Sequence, residues 1–210
     1  FWRSGVLTLP QVDDGGRLLR RFRADPQGNP LPTPDGRIQI YSAAIAGFGY
    51  ADCPGHPVWL SPQESPTREH PLWLVANQPA TRLHSQLDFA RHSARHKRHS
   101  KEVCTMHPAD AAPRGIHEGD IIMLHNARGA VLAAVTLSTG ILQGVVQLPT
   151  GAWYDPVDPL AKRPLCRRGN PNVLTRDVGT SALGQGCTGQ LTVVQAVRFT
   201  QEISDNQLRQ

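Results

Sequence analysis

A chain of 210 residues with 39% hydrophobic and 19% charged residues holds one substantial domain plus an extension, which excludes an intrinsically disordered chain. The net charge of +5 suits a phosphate-rich cofactor or a nucleic acid, and no apolar run approaches the roughly 18 residues of a membrane span. The chain opens on Phe1 with no basic-then-apolar leader, so it reads as a fragment or processed product whose targeting signal would lie elsewhere. The 18 prolines and 19 glycines favour short strands and loops over long helices. Cys53, Cys104, Cys166 and Cys187 form no CxxC pair. They have neither zinc nor iron–sulfur spacing, and reduced, structural thiols are expected.

Residues 1–66 have few periodic runs. Turns surround two expected short strands, Arg17–Arg23 and Arg37–Ser42, with a turn-rich segment from Asp25 to Gly36 between them. The stretch Ser61-Pro-Gln-Glu-Ser-Pro-Thr reads as a linker and places a boundary near residue 68, dividing the chain into 1–67 and 68–210. Beyond it come six short apolar runs bounded by Gly, Asn or Pro: Leu72–Ala76, Glu102–Met106, Asp120–His125, Ala130–Ser138, Gly144–Leu148 and Leu191–Arg198. Their length and β-branched content predict buried strands. Pro108–Ala112 is expected as one helical turn. Six strands with irregular loops suggest a closed or nearly closed barrel, since closure removes exposed edges.

Five stretches hold candidate chemistry. Asn77-Gln-Pro-Ala-Thr-Arg-Leu-His-Ser-Gln86 packs amide, guanidinium, imidazole and hydroxyl groups after a strand. This composition serves a phosphate or heterocycle site or a polar surface loop. Arg91–Lys101 holds five Lys/Arg and three His but has no aromatic residue for base stacking. His92, His96 and His99 lack a carboxylate or cysteine partner for a metal, so a solvated, mobile loop is expected. Arg114–Gly129 reads as a barrel hairpin with turns at Gly119-Asp120 and Asn126–Gly129. In Leu148–Pro156, Gly151 allows close backbone approach, while Trp153 and Tyr154 either stack on a flat ring or plug the barrel mouth. Gly169–Gly186 is long and rich in neutral hydrogen-bonding side chains, as reading a pterin or guanine edge requires. Neither a phosphate-loop nor a dinucleotide fingerprint is present, and no hydrolytic triad or carboxylate pair stands out.

Taken in order, PLPTPDGRIQIYS, YADCPGHPVW, NQPATRLHSQLD, MHPADAAPRGIHEGDIIMLHNARG, GVVQLPTGAWYDP and GNPNVLTRDVGTSALGQG resemble the C-terminal region of molybdopterin oxidoreductases of the dimethyl sulfoxide reductase type. The likeness is to the branch with trimethylamine N-oxide and biotin sulfoxide reductases, and YADCPGHPVW is most similar to biotin sulfoxide reductase. The resemblance implies a mainly β, six-stranded double-psi β-barrel with long loops, preceded by an irregular extension from a neighbouring domain. It implies contacts to molybdenum bis(molybdopterin guanine dinucleotide) in an intact enzyme that reduces S-oxides or N-oxides by oxygen-atom transfer, with this chain alone not catalytic.

The implied cofactor-binding residues are Asn77, Gln78, Arg82, His84, Ser85 and Gln86 in the first loop, Thr150, Gly151, Ala152 and Trp153 in the fourth stretch, and Asn170, Asn172, Thr175 and Gln185 in the last loop. Arg82 and Asn172 are expected at the cofactor cavity rather than in the core. No segment matches the family's molybdenum-ligating serine, so no metal ligand is assigned. Pro113 stands where the family favours a helix-compatible residue, which weakens the helical turn there. The implied partners are the remaining domains of the parent polypeptide and a small S-oxide or N-oxide, with neither nucleic acid nor membrane, in the cytoplasm or periplasm. A formate-dehydrogenase-like or nitrate-reductase-like parent and a basic nucleic-acid-binding module are the alternatives.

Overall fold

The structure is a computed structural model that describes residues 15–186 and 192–201. The chain divides into two compact units, Phe1–Trp59 and Leu60–Gln210. Residues 60–67, placed by sequence with the extension, therefore group with the barrel unit.

In the first unit, helix α1 spans Gly15–Ala24, where a strand was expected over Arg17–Arg23. Leu and Arg are unbranched at Cβ and favour helix, and the segment holds no β-branched residue to favour a strand. A second helix, α2, spans Ala43–Gly47, and the Ser42 hydroxyl caps it by accepting from Ile45 N. The strand expected at Arg37–Ser42 is absent. Its apolar residues Ile38, Ile40 and Tyr41 are exposed, and no described strand lies beside them to pair with the backbone.

The second unit holds β1 (Leu72–Val75), α3 (Arg91–Ala94), β2 (Val103–Met106), α4 (Pro108–Ala111), β3 (Ile121–His125), β4 (Ala130–Leu137), β5 (Val145–Gln147), β6 (Leu165–Cys166) and β7 (Thr192–Arg198). The six longer strands match the six expected runs. Their pairing order, β2-β5-β1-β7-β3-β4, closes through β2–β4 into the expected six-stranded double-psi barrel. Two pairs are parallel, β1 with β5 and β2 with β4, and these require crossover connections rather than tight hairpins. The remaining pairs are antiparallel, including the expected β3–β4 hairpin. The two-residue β6 runs parallel to β4 outside the ring. It was not anticipated, since two residues carry no periodic signal.

Alternation sets the core. β1 and β3 bury every second residue, sending Leu72, Leu74, Ile122 and Leu124 inward to meet Met106, Val146, Leu148 and Val194. Each such aliphatic side chain stabilises the fold by about 1.5–3 kcal/mol. β4 is buried over Val131–Val135, because it pairs with three strands. Pro113 has the effect anticipated for it: α4 stops at Ala111 and the chain continues as a 3-10 turn over Ala112–Arg114. Cys53, Cys104 and Cys166 are free thiols, and Cys187 lies outside the described residues. Burial pushes the Cys104 thiol up to about 12, which makes it an inert core residue.

Candidate functional site

The first loop leaves β1 and packs on the segment that follows β5. The Asn77 carbonyl accepts from Thr150 N at 2.9 Å. Gln78 Nε2 donates to the Arg82 carbonyl at 2.9 Å, and Trp153 Nε1 donates to the Ser85 carbonyl at 2.8 Å. Gly151 (φ +89°) lies so close to the first loop that a Cβ there would sit 1.9 Å from the His84 carbonyl oxygen, so only glycine fits. Ten of the sequence-predicted residues, Asn77 to Gln86 and Thr150 to Trp153, thus form one patch. His84, Ser85, Gln86 and Trp153 are exposed, while Ala152 is buried. Trp153 and Tyr154 are half-exposed and do not plug the barrel. Trp153 stands edge-on to Phe89, with ring centroids 5.0 Å apart. The Asn77 Oδ1 is buried without a partner.

Arg82 is where the structure departs from expectation. Its side chain is 1% exposed, in the interior rather than at a cavity wall. Nη2 donates to the Thr150 carbonyl at 2.8 Å, Nη1 lies 3.1 Å from Glu102 Oε1, and Nε lies 3.5 Å from Asp88 Oδ1. Lys97 completes the group, with Nζ 2.6 Å from Asp88 Oδ1 and 3.2 Å from Glu102 Oε1. Two cations and two carboxylates are thus buried together, as the cost of desolvation demands. Asp88 Oδ2 also accepts from Trp153 N at 3.1 Å.

The basic stretch is accordingly not a uniformly solvated loop, since Lys97 turns inward and Arg98 pairs with Glu118 at 2.6 Å. The His92 and His96 rings meet edge-on at 5.1 Å. Among the described residues no group of three or more His, Cys, Asp or Glu could hold a metal ion.

The last loop forms a second group. Asn170 is buried, and its side chain accepts from Asn172 N at 2.9 Å to cap the 3-10 turn Pro171–Val173. Its amide oxygen is thereby used in shaping the loop. Asn172, Thr175 and Gln185 line a cavity of about 400 Å³ together with Arg176, Asp177, Val178, Gly179 and Gly186. Arg176 leans on Gln63 and lies 3.6 Å from Glu64. Glu64 also takes a two-pronged contact from Arg128. Burial alone would raise the Glu64 pKa, yet the hydrogen bond and charge of Arg128, with Val193 N and the charge of Arg176, together outweigh it and hold the carboxyl below its usual value. The buried Asn126 donates to the Leu174 and Val193 carbonyls, fixing the loop on the barrel.

Sequence reasoning missed Asp88, Lys97, Glu102, Glu64 and Arg176. Only burial of unlike charges marks them, and the pairing is tertiary.

The molydopterin dinucleotide binding domain family matches residues 72–192. The chain is 42% identical to a dimethyl sulfoxide/trimethylamine N-oxide reductase of Rhodobacter capsulatus, over 95% of this chain and 25% of that protein. It is 45% identical to a trimethylamine-N-oxide reductase of Haemophilus influenzae, over 85% and 22%, and 43% identical to a biotin sulfoxide reductase of Cereibacter sphaeroides, over 92% and 26%. It therefore spans about a quarter of these relatives' length. Acetylene hydratase from Pelobacter acetylenicus shares the fold, with a TM-score of 0.64 at 19% identity over 83% of this chain and 25% of that one. A closed barrel with polar loops at its strand ends, matched from β1 into β7, settles the assignment: the chain belongs to the molydopterin dinucleotide binding domain family.

Proposed function

We propose that this chain is the cofactor-cradling portion of an oxidoreductase that carries molybdenum bis(molybdopterin guanine dinucleotide) and reduces S-oxides or N-oxides. The observation that carries the reading is the 42–45% identity to reductases of such substrates along nearly the whole chain. The donor set fits the group. The cavity at the last loop offers the Asn172 and Gln185 amides, the Thr175 hydroxyl and the Arg176 guanidinium, which suit a heterocycle edge beside an anion. At the first loop, Gly151 lets backbone approach closely and the Asn77 Oδ1 lacks a partner.

In this reading Asn77, Gln78, His84, Ser85, Gln86, Thr150, Gly151, Ala152, Trp153, Asn172, Thr175 and Gln185 face the cofactor, while Arg82 and Asn170 shape the loops that do. When bound, the cofactor supplies the two-electron oxygen-atom chemistry, and the protein orients it. The segment preceding the barrel belongs, in the same reading, to a neighbouring domain of the parent polypeptide. No helix among the described residues is long and apolar enough to cross a membrane. The inward Lys97 and the paired Arg98 leave the basic segment with fewer free cations for a nucleic acid than its composition suggests.

The test uses the full-length protein purified from molybdenum-replete cells. Molybdenum and acid-released guanine nucleotide are counted per polypeptide, and dye-linked reduction of dimethyl sulfoxide, trimethylamine N-oxide and biotin sulfoxide is measured. Stoichiometric cofactor with turnover of one of these supports the reading. Protein holding neither molybdenum nor guanine overturns it.

A further inference from the structure

The buried charges of Arg82, Asp88, Lys97 and Glu102 come from separate stretches of chain: the first loop, the turn just after it, the basic stretch and the residue before β2. We propose that this quartet is a positioning device which holds the two cofactor-facing groups at a fixed spacing, without touching the ligand itself.

The connections leave it in two directions. Towards the patch, Arg82 holds the Thr150 carbonyl and Asp88 holds Trp153 N. Thr150 and Trp153, which bracket Gly151 and Ala152, are thereby clamped while Gly151 rests against the His84 carbonyl. Towards the last loop, Glu102 N donates to the Arg168 carbonyl at 3.2 Å. Gly169 (φ +96°) is pressed so close that an added Cβ would stand 2.5 Å from Glu102 Cβ. The quartet thus sits at the root of both loops. Arg82 Nε and Glu102 Oε1 meet their partners at ion-pair distance without hydrogen-bond alignment, while Lys97 Nζ donates to Asp88 Oδ1 at 2.6 Å, so one charge-assisted hydrogen bond and the ion pairs around it hold the group together. A charge-held joint buried from solvent transmits the loss of one member to every segment it joins. The basic stretch thereby acquires a role: Lys97 is the cation that lets two carboxylates share the interior with one guanidinium.

The inference rests on the cofactor-binding reading above, and the experiment separates the two. Full-length wild type, Asp88→Asn, Lys97→Met and Lys97→Arg are purified from molybdenum-replete cells. Molybdenum and guanine nucleotide per folded polypeptide are measured, with hydrogen exchange of the Trp153 amide in cofactor-free protein and thermal melting as companions. Asp88→Asn and Lys97→Met are expected to retain about tenfold less cofactor after dialysis, the scale on which residues behind a first layer of ligand contacts act. Both should expose the Trp153 amide to faster exchange. Lys97→Arg keeps the charge and should retain at least half the wild-type cofactor, even if the other two fold poorly. Wild type without cofactor overturns the functional reading and this role with it. Loaded wild type beside equally loaded Asp88→Asn, or Lys97→Arg as depleted as Lys97→Met, overturns the positioning role alone.

Discussion

The contact between Gly151 and His84 gives a sharp test of how the loops are packed. Replacing Gly151 with alanine has two separable costs. The first is conformational: at φ +89° a Cβ costs roughly 1–2 kcal/mol. The second is steric. The new Cβ would lie 1.9 Å from the His84 carbonyl oxygen and 2.5 Å from its carbon, and both are backbone atoms that no rotamer change can move. The two loops must separate, which weakens the Thr150 N to Asn77 carbonyl bond (2.9 Å) and the tether from Asp88 to Trp153 N, each worth about 1 kcal/mol. The total is about 3 kcal/mol. Gly144 supplies the control, because it has a similar φ of +81° with nothing within 4 Å of the added Cβ. Gly144→Ala should cost only about 1 kcal/mol, the conformational part. Urea unfolding of both variants, with wild type alongside, measures the difference of about 2 kcal/mol directly. Equal costs would refute the close packing of the first loop on Gly151. A Gly151→Ala protein that also kept its full cofactor would remove this contact from the proposed cradle.

Three further outcomes follow from the described geometry. Arg82→Ala should destabilise the fold by about 3–5 kcal/mol, since it strips a buried cation from Asp88 and Glu102. An unchanged unfolding midpoint would return Arg82 to the cavity role expected from sequence. Asn126→Ala should cost about 2 kcal/mol, because the Val193 carbonyl and Arg128 N lose the Asn126 side chain as a partner while the Leu174 carbonyl keeps Arg128 Nε; thermal melting reads it. Glu118 titrates well below its ordinary range, at about 2 instead of 4.5, first through its hydrogen bond from Arg98 and then through Leu137 N and Thr136. Its folded pKa is depressed, so its stabilisation is complete above about 4.5 and lost as pH falls towards about 2. The site is exposed, and solvent screening limits the effect to about 1 kcal/mol. Glu118→Gln should flatten that acid limb in a pH series of unfolding midpoints, and an unaltered limb would show that the Arg98 contact does not persist in solution.

The barrel was legible because each of its strands carries its own signal. Leu72–Val75 and Ile121–His125 alternate inward and outward, and turn residues bound every run, so local sequence and tertiary position agree. Arg17–Arg23 misleads because short apolar content with flanking glycines suits a strand as well as a helix, and Leu and Arg, unbranched at Cβ, decide for the helix. The candidate site was legible only in part, for a different physical reason. Polar side chains in a loop announce that hydrogen bonds are needed but not with what. Arg82 and Asn172 look alike in this respect, yet the first is 9% exposed within a charge quartet and the second lines a cavity. What separates them is the company of Asp88, Lys97 and Glu102, none of which shows a buried ion pair on its own, since Lys97 falls in a stretch that reads as solvated and Glu102 at the head of an expected strand. Lys97 sits in a run of eight cationic or imidazole side chains, and only one of the lysines and arginines in that run is needed to neutralise the interior. Which one it is depends on where β2 begins relative to the first loop, a property of barrel closure rather than of any short segment. A polar loop on a closed barrel therefore has to be sorted into residues that face a ligand and residues that hold the facing ones in place, and burial of the charged atoms is the observable that makes the division.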